Sequence, residues 1–424
     1  MSVADFDRRA QWKPAPRPEW MATLNAVTNG IDQASAVPLT AASLIGQAVA
    51  NTGLSDFGGG DWLQHLTCLM EAVEAEAGLH LAGRLLTRCE MVLHLEARLR
   101  LTESYRQHPA IADEQVEAPV LITGYGRSGT TILFEVLAQD PQFRVAQRWE
   151  AMFPSPPPDP RTYANDPRIA RTEAQDRLLE AMTPEFQFAH KSGARLPVES
   201  LEMEYPSFLS DVFPIIFQIP SYAAYLAKHG DREAIQWQLK TLKLLQFRYR
   251  ADHWLMKSPS HLPHIRTILD IFPDMRVVFT HRDPVVTADS IVSVMGTLYW
   301  LRTDRPWGNG DIKSASLALA GERARQWDDA IAMIGAGMLR EGQFANFHYA
   351  AFMADPIAAI RHVYRQLGME LSAEVEERMR AYLAAKPKGR FGPHVYEEAP
   401  PAVTAAERAA YQEYETFFQV AREI

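Results

Sequence analysis

Val120-Leu-Ile-Thr-Gly-Tyr-Gly-Arg-Ser-Gly-Thr-Thr-Ile-Leu-Phe-Glu-Val-Leu137 is the stretch that decides the fold. Val120–Ile122 is an unbroken apolar run and reads as a buried strand, and Thr130–Leu137 reads as a helix opening directly after a glycine-rich loop. Gly124 and Gly129 stand at the G-x-x-x-x-G spacing of a phosphate-binding loop. Glycines let the backbone approach a ligand, successive N–H groups point inward, and the helix N-terminus favours an anion. One part is changed. Thr130 stands where a Walker lysine would reach the β- and γ-phosphates of a nucleoside triphosphate, and Arg127 sits inside the loop. The substitution suits a phosphorylated nucleotide whose reacting group is not a γ-phosphate.

Outward from the loop, the pattern predicts an α/β domain. Candidate strands at 120–123, 254–257, 276–280 and 343–348 alternate with candidate helices at 130–139, 166–182, 198–212, 231–250, 262–271, 285–302, 314–335, 356–367 and 373–385. Strands separated by helices predict a P-loop-type parallel sheet flanked by helices. Residues 1–115 read as an N-terminal helical extension, with apolar positions at three- and four-residue spacing through Leu85, Leu86, Val92, Leu93, Leu95 and Leu99. The expected division is 1–115, a core of 116–396, and a helical tail of 397–424. The formal charge of −9 disfavours a nucleic-acid or anionic-membrane partner. Cys68 and Cys89 are too few for a disulfide framework or a zinc cage, so a reducing cytoplasm is the default location. No segment approaches the roughly 20 apolar residues of a spanning helix.

A second anchor lies in Arg276-Val-Val-Phe-Thr-His-Arg-Asp-Pro-Val-Val-Thr-Ala-Asp-Ser290, a strand, a basic tip and a helix. Ligands of parallel sheets gather at the carboxyl ends of strands, so Arg282 is placed to fork onto a phosphate with Ser290 donating from the following helix. Two anion sites on one sheet imply a nucleotide phosphorylated at two separate positions.

Together these residues resemble the sulfotransferases that use 3′-phosphoadenosine-5′-phosphosulfate (PAPS). Gly126-Arg-Ser-Gly-Thr-Thr131 looks like their 5′-phosphosulfate loop, and Arg282 with Ser290 matches their 3′-phosphate pair, including its eight-residue interval. His348-Tyr-Ala-Ala-Phe-Met-Ala-Asp-Pro356 is similar to a family segment after a late strand, with Ala350 in place of its usual glutamate. By that match Tyr349 lies near the cofactor, and Lys388, in a basic glycine-containing stretch, closes over the 3′-phosphate. The resemblance covers about residues 116–396 and implies sulfuryl transfer to a hydroxyl of a small, apolar acceptor.

Such a transfer needs cations for the sulfuryl oxygens, donors for the leaving phosphate and a base for the acceptor hydroxyl. The backbone and hydroxyls of Ser128, Gly129, Thr130 and Thr131 suit the leaving phosphate, with Arg127 and Lys257 as the cations. The base lies between Glu150, at a distance from the loop that resembles the protein-tyrosine branch, and His261, four residues beyond the strand lysine. No metal is required, because side chains fill the cationic roles. His261 and His264 lack a third ligand for zinc, and Glu199, Glu202 and Glu204 read as a solvated helix face. A P-loop kinase would call for the missing lysine, and a silent nucleotide-binding protein would have no use for the three catalytic side chains. The N-terminal third carries no motif; covering the acceptor pocket and forming a homodimer are both open to it.

Overall fold

The computed structural model of the protein describes residues 16–27, 30–184, 186, 192–305, 307, 312–386 and 401–423. Its centre is a five-stranded, wholly parallel sheet built from β1 (Val120–Gly124), β2 (Phe143–Arg144), β3 (His253–Lys257), β4 (Arg276–His281) and β5 (Phe344–His348). The spatial order is β2-β3-β1-β4-β5. Successive strand side chains face opposite sides, so a strand that is apolar throughout is buried on both. Leu121, Val277 and Phe279 enter one apolar cluster with Trp237, Leu242 and Trp327. Val120, Ile122 and Val278 enter the other, with Leu133, Phe134 and Ile360. The fold is thus the expected α/β class, a parallel sheet covered by helices on both faces.

Two segments differ from the sequence expectation. A single helix over 198–212 gives way to a 3-10 helix, Ser200–Ser207, with Pro206 inside it and Phe208 at φ 60°. Proline removes a backbone donor and restricts the residue before it, so an α-helix cannot run through this position. The chain then turns into the short helices Val212–Ile216 and Pro220–His229. The two-residue β2 also went unpredicted, being too short to show any period.

The N-terminal helices Ala41–Thr52, Trp62–Glu76 and Leu81–Gln107 share an apolar core with Phe208, Phe213, Phe217, Tyr222 and Leu226 from the segment joining β2 to β3. Arg98, with no exposed surface, lies at this junction. Its guanidinium donates to the carbonyls of Phe57 (2.7 Å), Gly59 (2.8 Å) and Pro206 (2.8 Å), and lies 4.2 Å from the ring centre of Trp237. At the other end of the chain, Tyr411, Tyr414 and Phe418 pack into the sheet-face cluster, with Tyr414 stacked on Trp327 and Phe418 on His281. His281 is buried and bonded to Asn346, and burial together with neighbouring His348 pushes its pKa down to about 3. It is a neutral core group.

His264 is a charged strut. Its ring nitrogens meet Asp211 (2.5 Å) and Asp231 (2.6 Å), tying the β2–β3 segment to the residues after β3. Burial alone would expel its proton, but the two carboxylates overcome this and push its pKa up to about 10. A raised folded-state pKa gives stability that is fully present below the unfolded value of about 6.5 and is lost as pH rises towards the folded value. Urea midpoints of the wild-type protein are therefore expected to fall between pH 6.5 and 10, and His264→Gln to flatten that part of the decline. Equal slopes for the two proteins would refute the assignment.

Candidate active site

The carboxyl ends of β1, β3 and β4 lie side by side at one edge of the sheet. Ile122 of β1 pairs with Lys257 on one side and Val278 on the other. β1 ends at Gly124 (φ 141°), flush against β4: a Cβ there would lie 2.5 Å from Thr280 Oγ1 and 2.6 Å from the Thr280 carbonyl oxygen. The loop then curls back on itself. Ser128 is buried, donates from Oγ to the Tyr125 carbonyl at 2.5 Å, and meets Thr280 Oγ1 at 2.6 Å. Arg127 takes a left-handed conformation (φ 72°), which is uncommon outside glycine. Gly129 (φ 93°) begins the helix Thr130–Leu137, and a Cβ on it would strike Tyr349 at 2.7 Å. These are the features of a cradle. The first N–H groups of a helix have no partner within it, and here that helix end follows the loop directly.

The second anchor meets the first. Arg282 Nη1 donates to the Arg127 carbonyl at 3.1 Å, and its guanidinium lies 4.5 Å from the ring centre of Tyr349. Its Nε and Nη2 grip both oxygens of Glu423, at 2.8 and 2.9 Å. The Glu423 N–H is held in turn by Asp283 at 2.8 Å. Arg127, Gly129, Arg282 and Tyr349 are thus brought together at one place. Ser290 lies two turns into the helix Pro284–Trp300, with only its backbone described, and Lys388 lies outside the described residues.

The base candidates are disposed unlike the sequence expectation. Glu150 has no exposed surface. Its carboxylate is held by Arg144 at 2.5 Å, by the Gln147 N–H at 2.9 Å and by the Tyr163 hydroxyl at 2.9 Å. The Gln147-to-Glu150 contact closes the start of the helix Arg148–Met152. A glutamate three residues into a helix commonly reaches back in this way, so a signal for a capping role stood in the sequence. His261 is also buried, with Nε2 2.7 Å from Glu204 and Nδ1 3.3 Å from the Ser200 hydroxyl.

Lys257 ends β3 almost wholly buried, and its ammonium donates to Glu199 at 2.5 Å. The adjoining backbone is tied to β1, through the Ser258 N–H on the Ile122 carbonyl (3.1 Å) and the Thr123 hydroxyl on the Ser258 carbonyl (2.8 Å). Glu199, Glu202 and Glu204 therefore form no solvated face. They turn inward onto Lys257, Arg148 and His261 respectively. Sequence reasoning left Glu199 out because its partner is 58 positions away and only the folded chain joins them. Among the described residues, no group of three His, Cys, Asp or Glu side chains could hold a metal ion. Nor, among them, is any helix long and apolar enough to cross a membrane.

Comparison with known proteins agrees with this architecture. Residues 119–373 match the model of the sulfotransferase family. The omega-hydroxy-beta-dihydromenaquinone-9 sulfotransferases Stf3 of Mycobacterium bovis and Mycobacterium tuberculosis are 24% identical over 274 residues, 63% of this chain and 67% of theirs. The crystal structure of sulfotransferase STF9 from Mycobacterium avium superposes with a TM-score of 0.79 at 25% identity, covering 91% of this chain and 98% of that one. STF1 from Mycobacterium tuberculosis shares the fold, with a TM-score of 0.74 at 24% identity over 88% of this chain and 98% of its own. With a family match spanning more than half the chain, this protein belongs to the sulfotransferase family and is an enzyme of sulfuryl transfer.

Proposed function

We propose that the enzyme moves the sulfuryl group of PAPS to a hydroxyl of an apolar small molecule, in the reducing cytoplasm that its two free thiols suit. One observation carries the reading of the donor: the phosphate-binding loop and Arg282 are joined directly, through the Arg127 carbonyl and the ring of Tyr349. The loop from Gly126 to Thr131 holds the 5′-phosphosulfate, and Arg282, with Ser290 and Lys388, holds the 3′-phosphate. Transfer then proceeds by in-line displacement, in which positioning and charge stabilisation supply most of the catalysis. Arg127 and Lys257 face the sulfuryl and bridging oxygens. The mycobacterial relatives named for an omega-hydroxylated menaquinone derivative support a hydroxyl on an apolar skeleton as the acceptor.

Glu150 serves in this scheme to lock Arg144 and Gln147, since all its contacts are internal. The nucleotide reading is tested by titrating the full chain with adenosine 3′,5′-bisphosphate in a calorimeter. Wild-type protein is expected to bind, and Arg282→Ala to bind about 30-fold or more weakly, as befits loss of a charge-assisted fork worth about 2–3 kcal/mol. Absence of binding by the wild-type protein would refute the donor assignment. Incubation with ³⁵S-labelled PAPS and a lipid extract, followed by mass spectrometry for sulfate gain, identifies the acceptor.

A further inference from the structure

We infer that Glu199 is the general base of this enzyme, taking the proton of the acceptor hydroxyl while Lys257 holds its carboxylate in place. The inference rests on the sulfuryl-transfer reading above and names a residue that reading leaves open. A base must reach the acceptor proton within a hydrogen bond. Glu150 is enclosed at 0% exposure, His261 at 1% and Glu204 at 4%. The Glu199 side chain is 21% exposed, whereas its partner Lys257 is 4% exposed. The ammonium is thus the more enclosed half of the pair and the carboxylate the more accessible half.

Position supports the same assignment. Lys257 is in register with Ile122, two residues before the glycine that opens the phosphate-binding loop. Glu199 is therefore fixed at the carboxyl edge of β3, beside the strand from which the loop springs. The segment carrying it is doubly pinned. Ser200 bonds His261, and Glu204 takes the opposite nitrogen of the same ring. This assigns His261 to positioning, since both ring nitrogens are committed to the segment that presents Glu199. An ammonium has three N–H bonds and the Glu199 contact takes one, so Lys257 can serve the sulfuryl oxygens while it orients the base.

The step balances. The acceptor oxygen forms its bond to sulfur as its proton passes to the Glu199 carboxylate. The bond from sulfur to the bridging oxygen breaks, and its electron pair leaves with 3′-phosphoadenosine-5′-phosphate. Glu199 then returns the proton to solvent.

Glu199→Gln is the discriminating variant, because its amide oxygen still accepts from Lys257 but cannot take up a proton at neutral pH. Two measurements on the whole chain are needed: calorimetric titration with adenosine 3′,5′-bisphosphate, and transfer from ³⁵S-labelled PAPS to the lipid extract at neutral pH. Expected are nucleotide affinity within about twofold of wild type and turnover lower by about 10²–10⁴-fold. Glu199→Asp keeps part of the rate, and stands in if the glutamine variant does not fold. A glutamine variant within threefold of wild-type turnover overturns the assignment. So does a loss of nucleotide affinity that accounts for the loss of rate. Wild-type protein that binds the nucleotide and transfers to no acceptor, or that binds nothing, refutes the sulfuryl-transfer scheme itself and the inference with it.

Discussion

Lys257→Met is expected to leave adenosine 3′,5′-bisphosphate binding nearly intact and to reduce sulfuryl transfer by about 10²–10³-fold, the usual cost of removing one fixed charge that stabilises a transition state. Methionine fills the volume of the lysine stem, so the buried end of β3 keeps its packing. What disappears is the ammonium at 2.5 Å from Glu199. Two proposed functions go with it: neutralising the sulfuryl oxygens and holding the base. Because Lys257 and Glu199 act as a unit, the Lys257→Met/Glu199→Gln double variant is expected to be little slower than the worse single variant. Steady-state transfer of labelled sulfate checks both statements. Additive losses would show that the two side chains act independently.

The largest loss of stability is expected from Arg98→Met, about 3–5 kcal/mol, read as a lower denaturant midpoint at neutral pH. Three carbonyl groups, of Phe57, Gly59 and Pro206, depend on this one guanidinium. Burying acceptors without partners costs about 1–3 kcal/mol for each group, and partial relaxation or water entry recovers some of that. Arg98→Lys should rescue little, since a compact ammonium cannot span three carbonyls as a planar five-donor group does. The effect should extend to catalysis. Pro206 belongs to the 3-10 helix that follows Glu199 directly, so loosening its carbonyl frees the segment that presents the carboxylate. A midpoint shift below about 1 kcal/mol equivalent would mean that water replaces the guanidinium without penalty.

The strand, glycine-rich loop and helix over 120–137 were legible because their information is local. An apolar run, two glycines at a fixed interval and a helix start lie within 18 residues, 120–137, and local geometry needs all three together. The place of Arg282 just past β4 was legible for a similar reason, since the end of a strand fixes the edge of the sheet on which a residue stands. Glu150 shows the limit. Its distance along the chain from Arg127 suited a base, but its direction is set by the turn that begins at Gln147, which points it into the core. The 199–207 segment was harder still. Its three glutamates sit at spacings that suggest a wet helix, and only the proline at 206 hints at the tighter turn that sends each of them to a different partner inside the fold. Pairings such as Glu199 with Lys257 arise from tertiary placement and leave no trace in spacing.

If Arg282 holds the 3′-phosphate as proposed, its grip on Glu423 bears on which nucleotides the enzyme admits. The guanidinium meets an incoming ligand already satisfied, so recognition there is a trade of one anion for another. A ribose 3′-phosphate carries more charge and more acceptor oxygens than a carboxylate and can win that trade. A bare 3′-hydroxyl brings no charge to the exchange and leaves Glu423 where it is. On that reading Glu423 sets a threshold against nucleotides without a 3′-phosphate, such as ATP or AMP, whatever their 5′ groups offer the loop.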